Sequence, residues 1–134
     1  MKGVNFGIDE IRLSLHILGA VVWLGGQVLM GALVPVLRGI SDEAPRKAAA
    51  RFGQVAWPFF GLAVVTGIWN MVAVSDTTSG YNAVLGIKML LVLASGGAAF
   101  VHQSTTKPAI KGATGGIALI TALLALVMGS VLGH

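Results

Sequence analysis

Four long apolar stretches, separated by short polar segments, make up most of the chain. A bilayer core of about 30 Å needs roughly 20 apolar residues in one helix, and each stretch is long enough. The predicted spans cover about residues 11–37, 48–74, 82–103 and 113–132. Short connections make neighbouring helices antiparallel. The pattern therefore predicts an all-α integral membrane four-helix bundle, up-down-up-down, as a single membrane domain over residues 1–134.

Two prolines have different positions relative to the predicted spans. Pro58 lies inside the second span, where a membrane helix tolerates a kink. Pro108 follows the third span and is expected to break the helix there. The first span is too long, and too rich in Trp, Gln and Gly, for a cleaved signal peptide. We therefore expect it to remain as a membrane helix.

The composition agrees with a membrane protein and argues against other classes. Of the 134 residues, 55% are hydrophobic and 10% are charged, whereas a soluble domain has about 25% charged residues. The formal net charge is +4, but no basic stripe with interleaved aromatic residues accompanies it, so we expect no nucleic-acid partner. The sequence contains no Cys, which excludes a disulfide framework, a CxxC site and covalent c-type haem within it.

The distribution of basic residues favours one orientation in the membrane. The basic residues of the first and third connections and their flanks are Arg38, Arg46, Lys47, Arg51, Lys107 and Lys111. The second connection has one charged residue, Asp76, and no basic residue. We expect the protein in the inner membrane of the cell. The positive-inside rule then places the basic connections in the cytoplasm and both termini on the extracytoplasmic side. Lys2 and Arg12 oppose this orientation mildly, but Asp9 and Glu10 lie beside them.

The first predicted helix carries a stripe of polar and aromatic residues. Arg12, His16, Trp23 and Gln27 are spaced by four, seven and four positions, which places them on one helical face. An ionisable side chain at the centre of a bilayer costs roughly 2.5–3.5 kcal/mol or more, so its presence needs a reason. Trp23 lies deep in the span and needs a partner for its indole N–H, a role that Gln27 could fill. All four residues of this stripe are candidate cofactor-binding residues.

A second stripe follows the third predicted helix, where Tyr81, Lys88, Ser95 and His102 recur every seven residues. Both helices start outside in this orientation, so Lys88 and His16 lie at similar depths. We expect these two residues to face a shared site in the outer half of the membrane, whereas His102 lies near the cytoplasmic end. The alternative is that His16 forms an interfacial hydrogen bond and that Lys88 extends to the membrane surface.

A histidine within a membrane helix is the usual protein ligand of b-type haem, which makes His16 the candidate axial ligand. Gly19 and Ala20 leave space beside it for a flat macrocycle, and Arg12 could pair with a propionate. A single histidine suffices for five-coordinate haem, and a second ligand could be Lys88 or the same histidine of a second protomer. We therefore expect haem b and a redox partner. A homodimer is also expected, because four short helices enclose a macrocycle poorly.

Copper is the alternative metal, and the chain has few ligands for it. Cu(I) prefers thiolate and thioether ligands, and the sequence has no Cys and no Met-x-x-Met pair. A copper transport or accessory protein would use the polar stripes as a pathway. A structural subunit, whose polar residues only hold helices together, is the third alternative.

Three segments, in order, resemble a family of membrane proteins. They read LHILGAVVWLGG around His16, RFGQVAWPFFGLAVVTGIWN with Thr66 and Gly67, and YNAVLGIKMLLVLA with Tyr81 and Lys88. Together, over about residues 12–103, they resemble the membrane domain of copper-resistance protein D (CopD-like) and the related HemJ-type protoporphyrinogen oxidase. The resemblance implies a small helical membrane bundle. Its HemJ branch implies bound b haem and oxidase activity, with His16 and Lys88 as functional positions, and its copper branch implies copper uptake across the inner membrane.

Overall fold

A computed structural model describes residues 3–133, which form four α-helices. Their bounds are Ile8–Ile40 (α1), Ala44–Ala73 (α2), Ser79–Ser104 (α3) and Pro108–Leu132 (α4). Each helix is long and apolar enough to cross a membrane. The predicted all-α class, with four membrane helices, is confirmed. Lys2, which entered the charge argument, lies outside the described residues, as do the two terminal residues.

The helices extend past the predicted apolar spans, as α1 and α4 show. Before α1, Glu10 Oε2 accepts a hydrogen bond of 2.7 Å from the Gly7 N–H. Helix α4 begins at Pro108, five residues before the apolar span predicted from about residue 113. Proline is favoured at this position because its missing N–H is not needed there and its φ angle suits a helix.

Helices α1 and α2 form an antiparallel hairpin with very close backbone contact. The connection spans residues 41–43, and contacts run from Arg12 opposite Asn70 to Gly26 opposite Phe52. At the middle, a Cβ atom on Gly19 would lie 2.7 Å from the Phe59 carbonyl oxygen. Such an approach requires a residue without a side chain, as in many membrane helix pairs.

Helices α3 and α4 form a second antiparallel hairpin, joined by residues 105–107. Ser95, which is 1% exposed, donates a hydrogen bond of 2.7 Å from Oγ to the Ala118 carbonyl oxygen. The buried residues of α4 are all small: Ala118, Ala122, Ala125 and Gly129. A hydroxyl and a row of small side chains therefore hold this pair together, in the manner of membrane helices.

The exterior of the helices is apolar. Large hydrophobic side chains such as Val72, Leu90 and Leu126 are exposed, whereas the buried hydrophobic residues are Trp23 and a few alanines. In water this distribution would expose far more apolar surface than a soluble protein does. The described helices are therefore built to contact the lipid bilayer.

Candidate functional site

His16 lies in the interface between α1 and α2, one turn from Arg12, and is 9% exposed. Its Nδ1 atom lies 2.9 Å from the Ala63 carbonyl oxygen and 3.1 Å from Thr66 Oγ1. The Thr66 hydroxyl itself donates to the Leu62 carbonyl oxygen at 2.6 Å. Both groups near Nδ1 can therefore act as acceptors.

These contacts assign the proton on the imidazole ring. A carbonyl oxygen can only accept, so Nδ1 must carry the hydrogen that it donates to Ala63. In the neutral ring the lone pair is then on Nε2, which is the atom that binds a metal. Donation from the other ring nitrogen to a carbonyl is also the usual way in which proteins orient a metal-binding histidine.

Two glycines border the imidazole and the backbone that holds it. A Cβ atom on Gly67 would lie 3.3 Å from His16 Cε1, which is tighter than an ordinary contact. A Cβ atom on Gly19 would lie 2.8 Å from the backbone nitrogen of Ala63, the residue whose carbonyl accepts from His16. The backbone of α2 therefore occupies the space that was predicted beside Gly19 for a macrocycle, and the close approach brings the acceptor carbonyl within reach of the histidine.

Arg12 lies one turn from His16 and is 8% exposed. Its Nε donates to Asn70 Oδ1 at 2.5 Å, and Nη1 forms an ion pair of 2.9 Å with Asp9 Oδ1. The guanidinium carbon also lies 5.6 Å from the centre of the Trp69 ring, within the range of a cation–π contact. The structure thus gives the buried arginine a counterion and a hydrogen-bond acceptor, and its pairing with a propionate stays a prediction.

An aromatic cluster lies beyond the histidine. The Trp23 ring centre is 4.5 Å from that of Phe60 and 5.0 Å from that of Trp57. Gln27 lies one turn further, and its buried Nε2 has no hydrogen-bond partner among the described residues. Trp23 therefore packs against aromatic rings of α2, and Gln27 as the partner of its indole N–H stays a prediction.

The polar stripe of α3 belongs to the second hairpin. Ser95 is buried against α4, and Lys88 and Tyr81 are half-buried. His102 lies in the last turn of α3, with Nδ1 2.6 Å from the Lys111 carbonyl oxygen of α4. Two residues of this stripe therefore connect α3 to α4, and the role of Lys88 at a site stays a prediction.

The structure adds two α2 residues that the sequence argument did not single out for their chemistry. Thr66 and Asn70 are buried, 2% and 5% exposed respectively, and they lie four positions apart. That spacing places both on one face of a helix. A polar pair at helical spacing within an apolar span was the available signal, and the antiparallel register of α1 and α2 gives it a position opposite His16 and Arg12.

The described residues contain no group of three or more His, Cys, Asp or Glu side chains that could hold a metal ion. A haem needs only one protein ligand at its iron, so haem ligation by His16 stays a prediction. Searches of family models, curated proteins and solved structures found no match to this chain.

Proposed function

We propose that this membrane protein binds b-type haem, with His16 Nε2 as an axial ligand, and that it transfers electrons. The observation that carries the proposal is the hydrogen bond of 2.9 Å between His16 Nδ1 and the Ala63 carbonyl oxygen. It fixes the proton on Nδ1 and directs the Nε2 lone pair outward from the acceptor. The resemblance to the CopD-like and HemJ-like proteins agrees with this proposal.

The surroundings of His16 also fit a ligand for haem. Donation to a backbone carbonyl increases the basicity of the imidazole and fixes its orientation, and burial within the helix pair keeps water from the ring. When bound, haem iron would supply one-electron chemistry at a potential set by its ligands and their hydrogen bonds. The protein would then position the group and pass electrons to a redox partner.

Absorption spectroscopy tests the proposal directly. We expect the protein, expressed with haem supplied and purified in detergent, to show a Soret band. Reduction with dithionite should sharpen the α and β bands, as in b-type haem proteins. A colourless protein from the same expression would contradict the proposal, and metal analysis would then decide between copper and a structural role.

We also propose that the basic connections face the cytoplasm, with both chain ends outside. Exposed Arg38, Arg46 and Lys47 lie at or near the connection between α1 and α2, and Lys107 directly precedes α4. Cytoplasmic connections of membrane proteins carry such an excess of basic residues. We propose the inner membrane of the cell as the location of the protein, and the homodimer stays a separate prediction.

Reporter fusions test this orientation. We expect alkaline phosphatase, which is active only outside the cytoplasm, to be active when fused after residue 133. The same enzyme fused within residues 105–107 should be inactive, because that connection would be cytoplasmic. The reverse pattern of activity would overturn the orientation.

A further inference from the structure

The end of the α1–α2 hairpin opposite its connection contains a buried cation whose counterion is accessible to water. The side chain of Arg12 is 10% exposed, whereas that of its partner Asp9 is 72% exposed. An ion pair with an exposed partner contributes little, because water and salt screen it. A less hydrated carboxylate could therefore take the place of Asp9 at this guanidinium.

The buried amide of Asn70 lies next to Arg12 and has an unsatisfied donor. Asn70 is 5% exposed, and its Oδ1 accepts from Arg12 Nε. Its Nδ2 is buried and has no hydrogen-bond partner among the described residues. A buried donor without an acceptor is unfavourable. Because both amide atoms are bonded to one carbon, this donor lies beside the guanidinium.

Arg12 also retains donors of its own. A guanidinium has five N–H groups in a planar fork that suits a carboxylate. Within the part of the chain that the structure describes, the hydrogen bond to Asn70 and the ion pair to Asp9 involve Nε and Nη1. The Nη2 group and the Asn70 amide can therefore donate to the same acceptor without breaking the bond that joins Arg12 to Asn70.

We propose that Arg12 and Asn70 form a binding site for a carboxylate group, and that Asp9 pairs with Arg12 when this ligand is absent. The carboxylate could belong to a haem propionate or to a fatty acid. Arg12 lies four residues, about 6 Å along the helix, from His16, and both are buried on the same side of α1. This proximity favours a propionate, an assignment that rests on the proposed function, whereas the carboxylate site itself does not.

Haem dimethyl ester is the probe that isolates the carboxylates, because only its propionates differ from those of haem. We expect the haem-free protein in detergent to bind haem about tenfold or more tightly than the ester, since charge-assisted hydrogen bonds would be lost. Asn70→Asp, which adds a negative charge at nearly constant shape, should abolish this preference. Equal affinity of the unmodified protein for haem and its ester would overturn a propionate site.

Asp9→Asn keeps the proposal testable if substitutions at buried positions prevent folding. It removes the competing carboxylate at an exposed side chain, so the preference for haem over its ester should increase several-fold. Glu10→Gln is the matched control, because Glu10 caps the Gly7 N–H and should leave the preference unchanged. An unchanged preference in Asp9→Asn would contradict the role of Asp9.

A protein that binds neither haem nor its ester would refute the proposed function but would still allow a test of the site. Decanoate and decanol, which differ in the carboxylate, would then be compared as stabilisers in thermal unfolding. Stabilisation by decanoate alone, lost in Asn70→Asp, would identify a fatty-acid carboxylate as the ligand. No difference between the two compounds would overturn the carboxylate site.

Discussion

We expect His16→Ala to remove the haem spectrum from the purified protein. The substitution deletes the only proposed iron ligand of α1, together with the Nδ1–H that donates to Ala63. Loss of a group that merely orients a metal ligand lowers affinity by about 10–100-fold, so loss of the ligand itself should lower it further. Absorbance at the Soret band per mole of protein measures the effect.

His102→Ala is the matched control for that experiment. His102 also lies beside a backbone carbonyl, with Nδ1 2.6 Å from the Lys111 oxygen, but it belongs to the last turn of α3. We expect this variant to retain its haem. A His16→Ala protein that keeps its haem content and spectrum would contradict ligation by His16.

Thr66→Val gives an intermediate test of the same arrangement. It replaces the hydroxyl oxygen that lies 3.1 Å from His16 Nδ1 by a methyl group of similar size, while the Ala63 carbonyl remains as acceptor. We expect bound haem with a shifted reduction potential, because hydrogen bonds to the axial ligand tune it. An unchanged reduction potential would show that the Thr66 hydroxyl does not act on His16.

Gly19→Leu should cause the largest loss of stability in the first hairpin. Even a Cβ atom at this position would lie 2.7 Å from the Phe59 carbonyl oxygen and 2.8 Å from the Ala63 nitrogen. Both atoms belong to the backbone and cannot rotate away, so the two helices must separate. We expect the free energy of unfolding to fall by about 3 kcal/mol, at the upper end for an overpacked interior.

Thermal unfolding in detergent, followed by tryptophan fluorescence, measures this loss, since Trp23 and Trp57 pack together across the hairpin. The control is Gly31→Ala in the same helix, where a Cβ atom would meet nothing within 4 Å. Its stability should be equal or higher by up to about 1 kcal/mol, because alanine favours a helix. Similar stabilities of the Gly19 and Gly31 variants would contradict the close approach.

Separation of α1 from α2 at Gly19 should also affect haem. The backbone of Ala63 contacts Gly19 and accepts the hydrogen bond from His16, so the two effects share one residue. We therefore expect Gly19→Leu to weaken haem binding, although it removes no ligand. The position of the imidazole thus depends on a glycine three residues away in the sequence.

The sequence by itself determined the number and class of the helices. A long apolar segment in a bilayer forms a helix, because a helix pairs the backbone N–H and C=O groups within the segment itself. The four spans could therefore be predicted from hydropathy. The spacing of Arg12, His16 and Trp23 also placed these residues on one face, and all three are buried in α1. Pro108, which was expected to end a helix, begins α4, because proline suits the first position of a helix.

Only the tertiary structure decided which side chains meet. The register of α1 against α2 depends on the close approach at Gly19, and nothing in hydropathy specifies that contact. This register places Thr66 and the Ala63 carbonyl at His16 and places Asn70 at Arg12. Helical periodicity assigns a residue to one face of its own helix. Which residues of α2 it contacts depends on how the two backbones pack, and all residues of the interface contribute to that packing.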